Sequence, residues 1–234
     1  MIGQTVNDLL AYFESNPGRM IHKWMHYFDI YERHLARYRG QEMVLVEIGI
    51  YQGGSLQMWK QYFGDRAAIW GVDVKPRCRM FAEERIHIRI GDQSDPGFLT
   101  ALAGEIPRID VLIDDGGHTM RQQRTTFEVL FPKIAEDGVY ICEDLHTSYW
   151  PEYGGGYPAA DTFIEYTKRL IDQLNAWHSK DPAALEVSDF TRSADALHYY
   201  DSMLLIEKRH RDPPEDRRTG KRTIPDEAFP PPKP

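Results

Sequence analysis

Two stretches of the sequence end an apolar run in carboxylates and a histidine. The first is IDVLIDDGGH (109–118) and the second is GVYICEDLH (138–146). Each apolar run is typical of a strand buried on both faces, and open α/β sheets bind ligands at the carboxyl ends of such strands. If the two strands are neighbours, their ends lie roughly 5 Å apart. Four carboxylates would then share one small volume: Asp114, Asp115, Glu143 and Asp144. Because clustered carboxylates are costly to bury, the pattern predicts a cation between them.

The individual residues also have simpler interpretations. Asp114 or Asp115 could cap the helix that follows, because acids favour helix N-termini. Capping accounts for one acid but not for both pairs, so we favour a shared metal site. His118, three residues past Asp115, is either the general base or a neighbour of a helix cap. His146, two residues after Asp144, is either an alternative base or a group that supports the site.

A glycine-containing loop, EIGIYQGGS (47–55), follows the first predicted strand and opens a helix. Its glycines let backbone amides approach a ligand, and a helix N-terminus favours negative charge. The spacing is not G-x-G-x-x-G, which disfavours a dinucleotide and suits a nucleoside that carries an amino-acid tail. Asp73 ends the second strand, where an acid binds a ribose diol, and Asp92-Gln93 ends the third, where it can contact an adenine.

The elements that must position these residues alternate between strands and helices. Strands are predicted at 43–50, 68–74, 87–92 and in the two apolar runs described above, with helices at 51–63 and 119–134. This alternation predicts a parallel, doubly wound sheet with right-handed crossovers. Residues 196–208 add an antiparallel hairpin. We therefore expect an α/β fold with a Rossmann-like, mostly parallel seven-stranded sheet.

Three further helices are predicted outside this alternation: 5–15, capped by Thr5 or Asn7, 23–38 and 158–180. Segment 23–38 places aromatic residues at helical spacing, which predicts a face that docks onto the domain. Its histidines, His26 and His34, are either ligands or ordinary groups at the surface or core edge.

The predicted domain organisation follows from these elements. Residues 1–40 form an N-terminal helical segment and 41–208 the main domain. Seven of the fifteen prolines lie in 209–234, which predicts a flexible, charged tail.

Composition excludes several classes of protein. The net charge of −8 disfavours a nucleic-acid partner. Two cysteines do not make a disulfide framework, and no apolar run is long enough to span a membrane. With no signal-peptide pattern at the N-terminus, we expect a soluble cytoplasmic protein.

An aromatic, glycine-rich loop, TSYWPEYGGGY (147–157), follows the second acidic pair. Tyr149, Trp150 and Tyr153 either stack on a substrate ring or hold the loop in place. The glycines make the loop a candidate lid.

These motifs together resemble the class I S-adenosylmethionine-dependent methyltransferases. More narrowly, EIGIYQGGSLQMW, GDQSD, IDDGGH and EDLHTSYWPEYGGG are similar to the metal-dependent sugar O-methyltransferases of macrolide biosynthesis, of the mycinamicin and tylosin type. The resemblance covers roughly residues 20–208. Members of that family are longer and carry an additional N-terminal domain.

The resemblance implies a role for each motif. Asp115, Glu143 and Asp144 match the family's Mg²⁺ ligands, and His118 matches its general base. The S-adenosylmethionine pocket is matched by Glu47, Gly49, Gln52, Gly53, Ser55, Asp73, Asp92, Gln93 and Asp114. His146, Tyr149 and Trp150 are expected to contact or support the substrate.

The function predicted on this basis is Mg²⁺-dependent methyl transfer from S-adenosylmethionine to a hydroxyl of a sugar on a natural product. The expected partner is a small glycoside or another polyhydroxylated acceptor, and the chain is expected to form a homo-oligomer. A catechol-like phenol is an alternative acceptor. A nicotinamide-dependent oxidoreductase and a non-catalytic S-adenosylmethionine-binding module are alternatives from other classes.

Overall fold

In a computed structural model that describes residues 7–224, one seven-stranded sheet organises the chain, in the order β3-β2-β1-β4-β5-β7-β6. The strands are β1 (Met43–Ile48), β2 (Ala67–Asp73), β3 (Ile86–Ile90), β4 (Ile109–Asp114), β5 (Ile134–Cys142), β6 (Ala194–Tyr200) and β7 (Met203–Lys208). The helices are α1 (Asp8–Ser15), α2 (Tyr27–Leu35), α3 (Gly54–Phe63), α4 (Pro96–Glu105), α5 (Met120–Leu130), α6 (Phe163–Leu174) and α7 (Asp189–Ser193). The first five strands are parallel, and β7 joins β5 antiparallel. The predicted fold is therefore confirmed, including the C-terminal hairpin.

Helices cover both faces of the sheet. Side chains of α1, α2 and α3 form one core layer with the sheet, and side chains of α4, α5 and α6 form the other. Every residue of β4 is buried, as expected for a central parallel strand. The buried faces leave the carboxyl ends of the strands as the open edge of the domain.

The bounds of several predicted elements differ from the structure. Helix α4 was not predicted; Asp95 caps it, and Pro96 occupies its first turn. The helix predicted at 119–134 ends at Leu130, because Pro132 lies in a 3₁₀ turn and β5 then begins at Ile134.

The terminal segments also differ in detail. The helix predicted at 158–180 begins at Phe163, where Thr162 caps it, and ends at Leu174. The helix predicted at 23–38 begins only at Tyr27. Asn7 caps α1, whereas the alternative cap Thr5 lies outside the described residues. Residues 209–224 contain no helix or strand, and the rest of the predicted tail, 225–234, is also outside them. Within 7–224, no helix has the length and hydrophobicity needed to cross a membrane.

Candidate active site

The predicted acidic strands are neighbours, and they end beside the loop that follows β1. The Glu143 amide donates to the Asp114 carbonyl over 2.9 Å, and the Asp115 amide donates to the Ile48 carbonyl over 2.9 Å. The strand order turns in opposite directions from β1 and β4, so this is the topological switch point where such sheets bind ligands. The acids meet there because three parallel strands end at one edge.

A cleft of about 330 Å³ lies at the ends of β1, β2 and β3. Of the predicted cofactor residues, Gly49, Asp73, Asp92 and Gln93 line it. Gly49 has φ +86°, and a Cβ there would lie 2.0 Å from the Asp115 carbonyl oxygen. Only glycine allows this close approach, which brings the loops after β1 and β4 together as two walls of the cleft.

Two of these predicted cofactor residues, Gln93 and Asp73, make hydrogen bonds within the protein. The Gln93 amide donates to Asp114 Oδ1 over 2.9 Å and accepts from the Gly117 amide over 2.8 Å. Gln93 therefore orders the loop after β4. The carboxylate of Asp73 accepts from the amides of Ile50 and Tyr51, each over 3.3 Å.

The remaining predicted cofactor residues lie behind or beside the cleft. Glu47 is fully buried, and its two oxygens accept from Ser55 Oγ over 2.7 Å and Trp59 Nε1 over 3.1 Å. This network fastens α3 to β1. Gln52 and Gly53 lie in the turn between them, with Gly53 at φ +73°. Asp114 is 1% exposed, and burial raises its pKa to about 7.

A second cavity, of about 250 Å³, adjoins the cleft and contains the predicted metal ligands. Asp115 Oδ1 and Asp144 Oδ2 lie 3.8 Å and 3.6 Å from His118 Nε2. Each of the three residues offers a ligand atom within 4.8 Å of the other two, an arrangement able to hold a metal ion. Two carboxylate oxygens facing one point suit a hard divalent cation, so the residues present fit Mg²⁺.

Glu143, the third predicted metal ligand, is held by two other groups. It is 1% exposed, and its oxygens accept from Tyr31 over 2.5 Å and from Lys23 Nζ over 2.8 Å. The same ammonium donates to Asp115 Oδ2 over 2.6 Å. Burial raises the pKa of Glu143 to about 8, although Lys23 opposes the shift. Glu143 thus lies behind the point where Asp115 and Asp144 converge, and Lys23 connects it to Asp115.

His118 is held above the carboxylates by an unusual backbone. It has φ +55°, and Asp144 has φ +56°, in the left-handed region that non-glycine residues rarely adopt. The His118 carbonyl accepts from Thr147 over 2.9 Å. Its Nδ1 is buried without a hydrogen-bond partner in the described part of the chain. Burial lowers the pKa of His118, although the Asp144 carboxylate opposes this, so the ring is neutral near pH 7 and able to accept a proton.

An aromatic rim stands beside the second cavity. The ring of His146 packs against Trp150 at 4.7 Å and Trp24 at 6.0 Å between centroids. Its Nδ1 bonds Ser202 Oγ at 2.5 Å. His146 is thus anchored to the hairpin turn. Trp150 and Tyr149 are 44% and 51% exposed.

Several residues of this site were not identified from the sequence. Lys23 has a side chain only 2% exposed, within 3.8 Å of Glu47 as well as bonded to Asp115 and Glu143. Tyr27 donates to Asp144 over 2.9 Å. The helical spacing of aromatic residues in segment 23–38 correctly predicted that this segment docks onto the domain. It did not indicate that the hydroxyls of Tyr27 and Tyr31 bond to carboxylates.

The strand order and the open cleft at the switch point define a Rossmann-like domain, and comparisons with known proteins indicate which class of such domains it resembles. A family model described as a methyltransferase domain matches residues 46–145. This match agrees with the resemblance to S-adenosylmethionine-dependent methyltransferases that the motifs predicted.

Similar proteins include several curated sugar O-methyltransferases. The 8-demethyl-8-alpha-L-rhamnosyl tetracenomycin-C 2'-O-methyltransferase of Streptomyces olivaceus is 39% identical over 191 residues, 78% of this chain and 50% of that protein. Demethylmacrocin O-methyltransferase of Streptomyces fradiae is 38% identical over 199 residues, 80% of this chain and 50% of that protein. The chain thus spans about half the length of the curated relatives it matches.

A solved structure is also similar. The MycE methyltransferase of the mycinamycin pathway, in complex with Mg and SAH, has a TM-score of 0.77 and 31% identity. The match covers 87% of this chain and 54% of MycE.

Proposed function

We propose that this chain is a Mg²⁺-dependent O-methyltransferase that uses S-adenosylmethionine to methylate a hydroxyl of a sugar carried by a natural product. One observation carries the proposal. The cleft at the ends of β1, β2 and β3 (the cofactor cleft) and the second cavity (the carboxylate cavity) share four lining residues: Gly49, Tyr51, Asp115 and Gly116. A methyl donor bound in the first cavity would therefore adjoin an acceptor bound in the second. Such adjacency is the main requirement of a direct group transfer.

The names of similar proteins support the acceptor class. Two relatives from Streptomyces olivaceus are a 2'-O- and a 3'-O-methyltransferase of rhamnosyl tetracenomycins. MycE has been solved in complex with Mg, SAH and mycinamycin VI. These names concern those proteins, and we extend the acceptor class to this chain as part of the proposal.

Asp115 and Asp144 would hold the cation, with Glu143 behind them. When bound, Mg²⁺ lowers the pKa of a hydroxyl that contacts it. Lys23 keeps Asp115 Oδ2 and Glu143 Oε2 in fixed positions, while Tyr27 does the same for Asp144 Oδ1. The remaining oxygens, Asp115 Oδ1 and Asp144 Oδ2, are those that face His118.

His118 would remove the proton of the acceptor hydroxyl at Nε2. The lowered pKa keeps this nitrogen unprotonated near pH 7. After the transfer, the new imidazolium would lie 3.6–3.8 Å from Asp115 Oδ1 and Asp144 Oδ2. The acceptor oxygen is then free to attack the methyl group supplied by S-adenosylmethionine.

The aromatic rim gives the acceptor a binding surface. Trp24 is 53% exposed and lines the carboxylate cavity, while Trp150 packs against His146. Aromatic faces of this kind pack against the apolar face of a sugar ring. We therefore assign His146, Tyr149 and Trp150, together with Trp24, to the acceptor side.

The test is turnover with purified full chain, measured as S-adenosylhomocysteine formed from S-adenosylmethionine. Rhamnosylated and other deoxysugar-bearing aglycones are the first acceptors, and catechol is the comparison. Product that requires both glycoside and Mg²⁺, and that is lost with EDTA, supports the proposal. Asp115→Asn should abolish this turnover while calorimetry still detects S-adenosylmethionine binding.

Three other results would overturn it. Faster methylation of catechol than of any glycoside would favour the phenol alternative. Binding of NAD in place of S-adenosylmethionine would favour an oxidoreductase. Cofactor binding without turnover on either acceptor class would favour a non-catalytic module. Homo-oligomer formation and cytoplasmic localisation stay predictions, and light scattering would test the first.

A further inference from the structure

Outside the active site, three potential metal ligands converge where α2 meets the β6–β7 hairpin. His34 Nδ1 lies 3.1 Å from Glu207 Oε1, and His198 Nε2 lies 3.3 Å from the same oxygen. All three atoms lie within 4.8 Å of one another. Each comes from a different element, so the cluster exists only in the folded chain.

The ligand types and spacings suit a transition metal. Two imidazoles and one carboxylate form a recurrent Zn²⁺ site that leaves a fourth position open. Zn–N and Zn–O bonds of about 2.0–2.2 Å in a tetrahedron place neighbouring ligand atoms about 3.3–3.5 Å apart. The contacts of 3.1 and 3.3 Å are close to that edge length, so a small outward movement would admit an ion.

The surrounding groups orient these ligands. The hydroxyl of Tyr200 lies 2.7 Å from His34 Nε2 and 3.4 Å from the donor Arg33 Nη1. The Tyr200 hydroxyl can accept a hydrogen bond from Nε2–H, and in that tautomer Nδ1 has a lone pair for an ion. Without an ion, the other tautomer lets Nδ1–H donate to Glu207. Arg37 Nη1 lies 3.5 Å from Glu207 Oε2, so the carboxylate's other oxygen faces the histidines.

One ligand atom is left unused by the protein. His198 Nε2 is buried and makes no hydrogen bond among the described residues, although Glu207 is close. The side chain of His198 as a whole is 34% exposed, which gives an ion an entry path. The surface cations Arg33 and Arg37 are directed at Tyr200 and at the far oxygen of Glu207 rather than at the ligand atoms.

We propose that His34, His198 and Glu207 form a binding site for one transition-metal ion of the Zn²⁺ class. The ion fastens α2 to the β6–β7 hairpin. Because α2 carries Tyr27 and Tyr31 to the active-site carboxylates, the ion also braces that wall of the cavity. Two imidazole ligands distinguish this site from the oxygen-rich active site, because imidazole suits Zn²⁺ and its neighbours in the transition series.

The experiment is a Zn²⁺ titration of the metal-free full chain in excess Mg²⁺, with a competing chromophoric chelator. The variant His198→Gln removes one partly exposed ligand, and His210→Gln is the matched control on an exposed histidine that pairs with Asp212. Wild type and His210→Gln should each bind one equivalent more than His198→Gln. Co²⁺ should give the visible spectrum of a tetrahedral site in the first two proteins only.

A thermal readout checks that the ion braces the fold. At free Zn²⁺ about 100 times Kd, Tm should rise by about 5–10 °C in wild type and in the control but not in His198→Gln. If His198→Gln fails to fold, Glu207→Gln takes its place in the experiment. This variant keeps the side-chain shape and should also bind one equivalent of Zn²⁺ less than wild type. Equal stoichiometry in all of the proteins, or no Zn²⁺ bound by wild type, would overturn the proposal.

Discussion

Among residues 7–224, Lys23 carries the one ammonium that lies between the active-site carboxylates. Replacing Lys23 with methionine would remove that charge. Methionine preserves most of the apolar stem but not the charge. The Lys23 side chain is 2% exposed and bonds Asp115 over 2.6 Å and Glu143 over 2.8 Å. The variant therefore leaves two clustered carboxyls without their shared counter-ion.

Removing one partner of a buried ion pair typically costs about 3–5 kcal/mol. The pKa of Asp115 is already raised to about 7 and that of Glu143 to about 8, so part of the cost of burial is present in the wild type. We therefore expect the lower end of the range, about 3 kcal/mol. For a chain of 234 residues this corresponds to a fall in Tm of about 6–12 °C.

The cost should depend on pH and metal. Without Lys23 the folded protein must keep protons on these carboxyls, whereas the unfolded chain releases them above about pH 4. The deficit should thus be largest at pH 8 and should shrink toward pH 5. Mg²⁺ should also reduce it, because a bound cation replaces part of the lost charge.

Urea unfolding of wild type and Lys23→Met at pH 5, 7 and 8, each with EDTA and with Mg²⁺, measures all three effects. Lys168→Met is the matched control, because Lys168 pairs with Glu165 at the surface, with its side chain 55% exposed. A Lys23→Met midpoint no lower than that of the control would refute the reasoning. A loss of stability in Lys23→Met that changes with neither pH nor Mg²⁺ would also refute it.

Three further perturbations test other parts of the site. His118→Ala should lower kcat by about 10²-fold or more while Mg²⁺ affinity measured by calorimetry changes little, and an unchanged kcat would exclude His118 as the base. Gly49→Ala should weaken S-adenosylmethionine binding at least about tenfold by displacing the loop after β4. Gly40→Ala, at φ +69° with no atom within 4 Å of its Cβ, isolates the backbone strain alone, so equal affinities in the two variants would count against the clash. Because the pKa of Asp114 is raised to about 7, the folded state holds a proton that the unfolded chain loses above about pH 4, and its stability contribution falls as pH rises through that window. Asp114→Asn should remove this slope, worth up to about 4 kcal/mol between pH 4 and 7, whereas parallel stability curves in EDTA would contradict the assignment.

Local sequence patterns were sufficient to predict most strands of the sheet and the acids at their ends. The strands were found because each is a short apolar run between turn residues, and the acids were found because they end such runs. Parallel strands bring their carboxyl ends to one edge, so the meeting of Asp115, Glu143 and Asp144 followed from topology alone. The family followed from motifs that lie within that same edge.

Element bounds were less accessible, because they depend on caps and neighbours. Helix α4 is a short helix that begins with Asp95 and Pro96, two residue types that are equally common in turns. The late start of α6 at Phe163 depends on Thr162, which caps the helix after an irregular segment. Alternative helix ends differ by only a few hydrogen bonds, and sequence periodicity does not distinguish between them.

Contacts between distant segments place the three acids in different surroundings. The sequence treated Glu143 as equivalent to Asp115 and Asp144, but packing gives both of its oxygens to Tyr31 and Lys23. Lys23 lies 120 residues from Glu143 in the chain, so no local pattern connects them. Backbone strands set where carboxylates lie, whereas long-range side-chain packing sets their partners and pKa values. Local patterns thus predict where the acids meet, because they indicate which strands end at the shared edge, whereas packing between distant segments sets which carboxylate oxygens are already hydrogen-bonded.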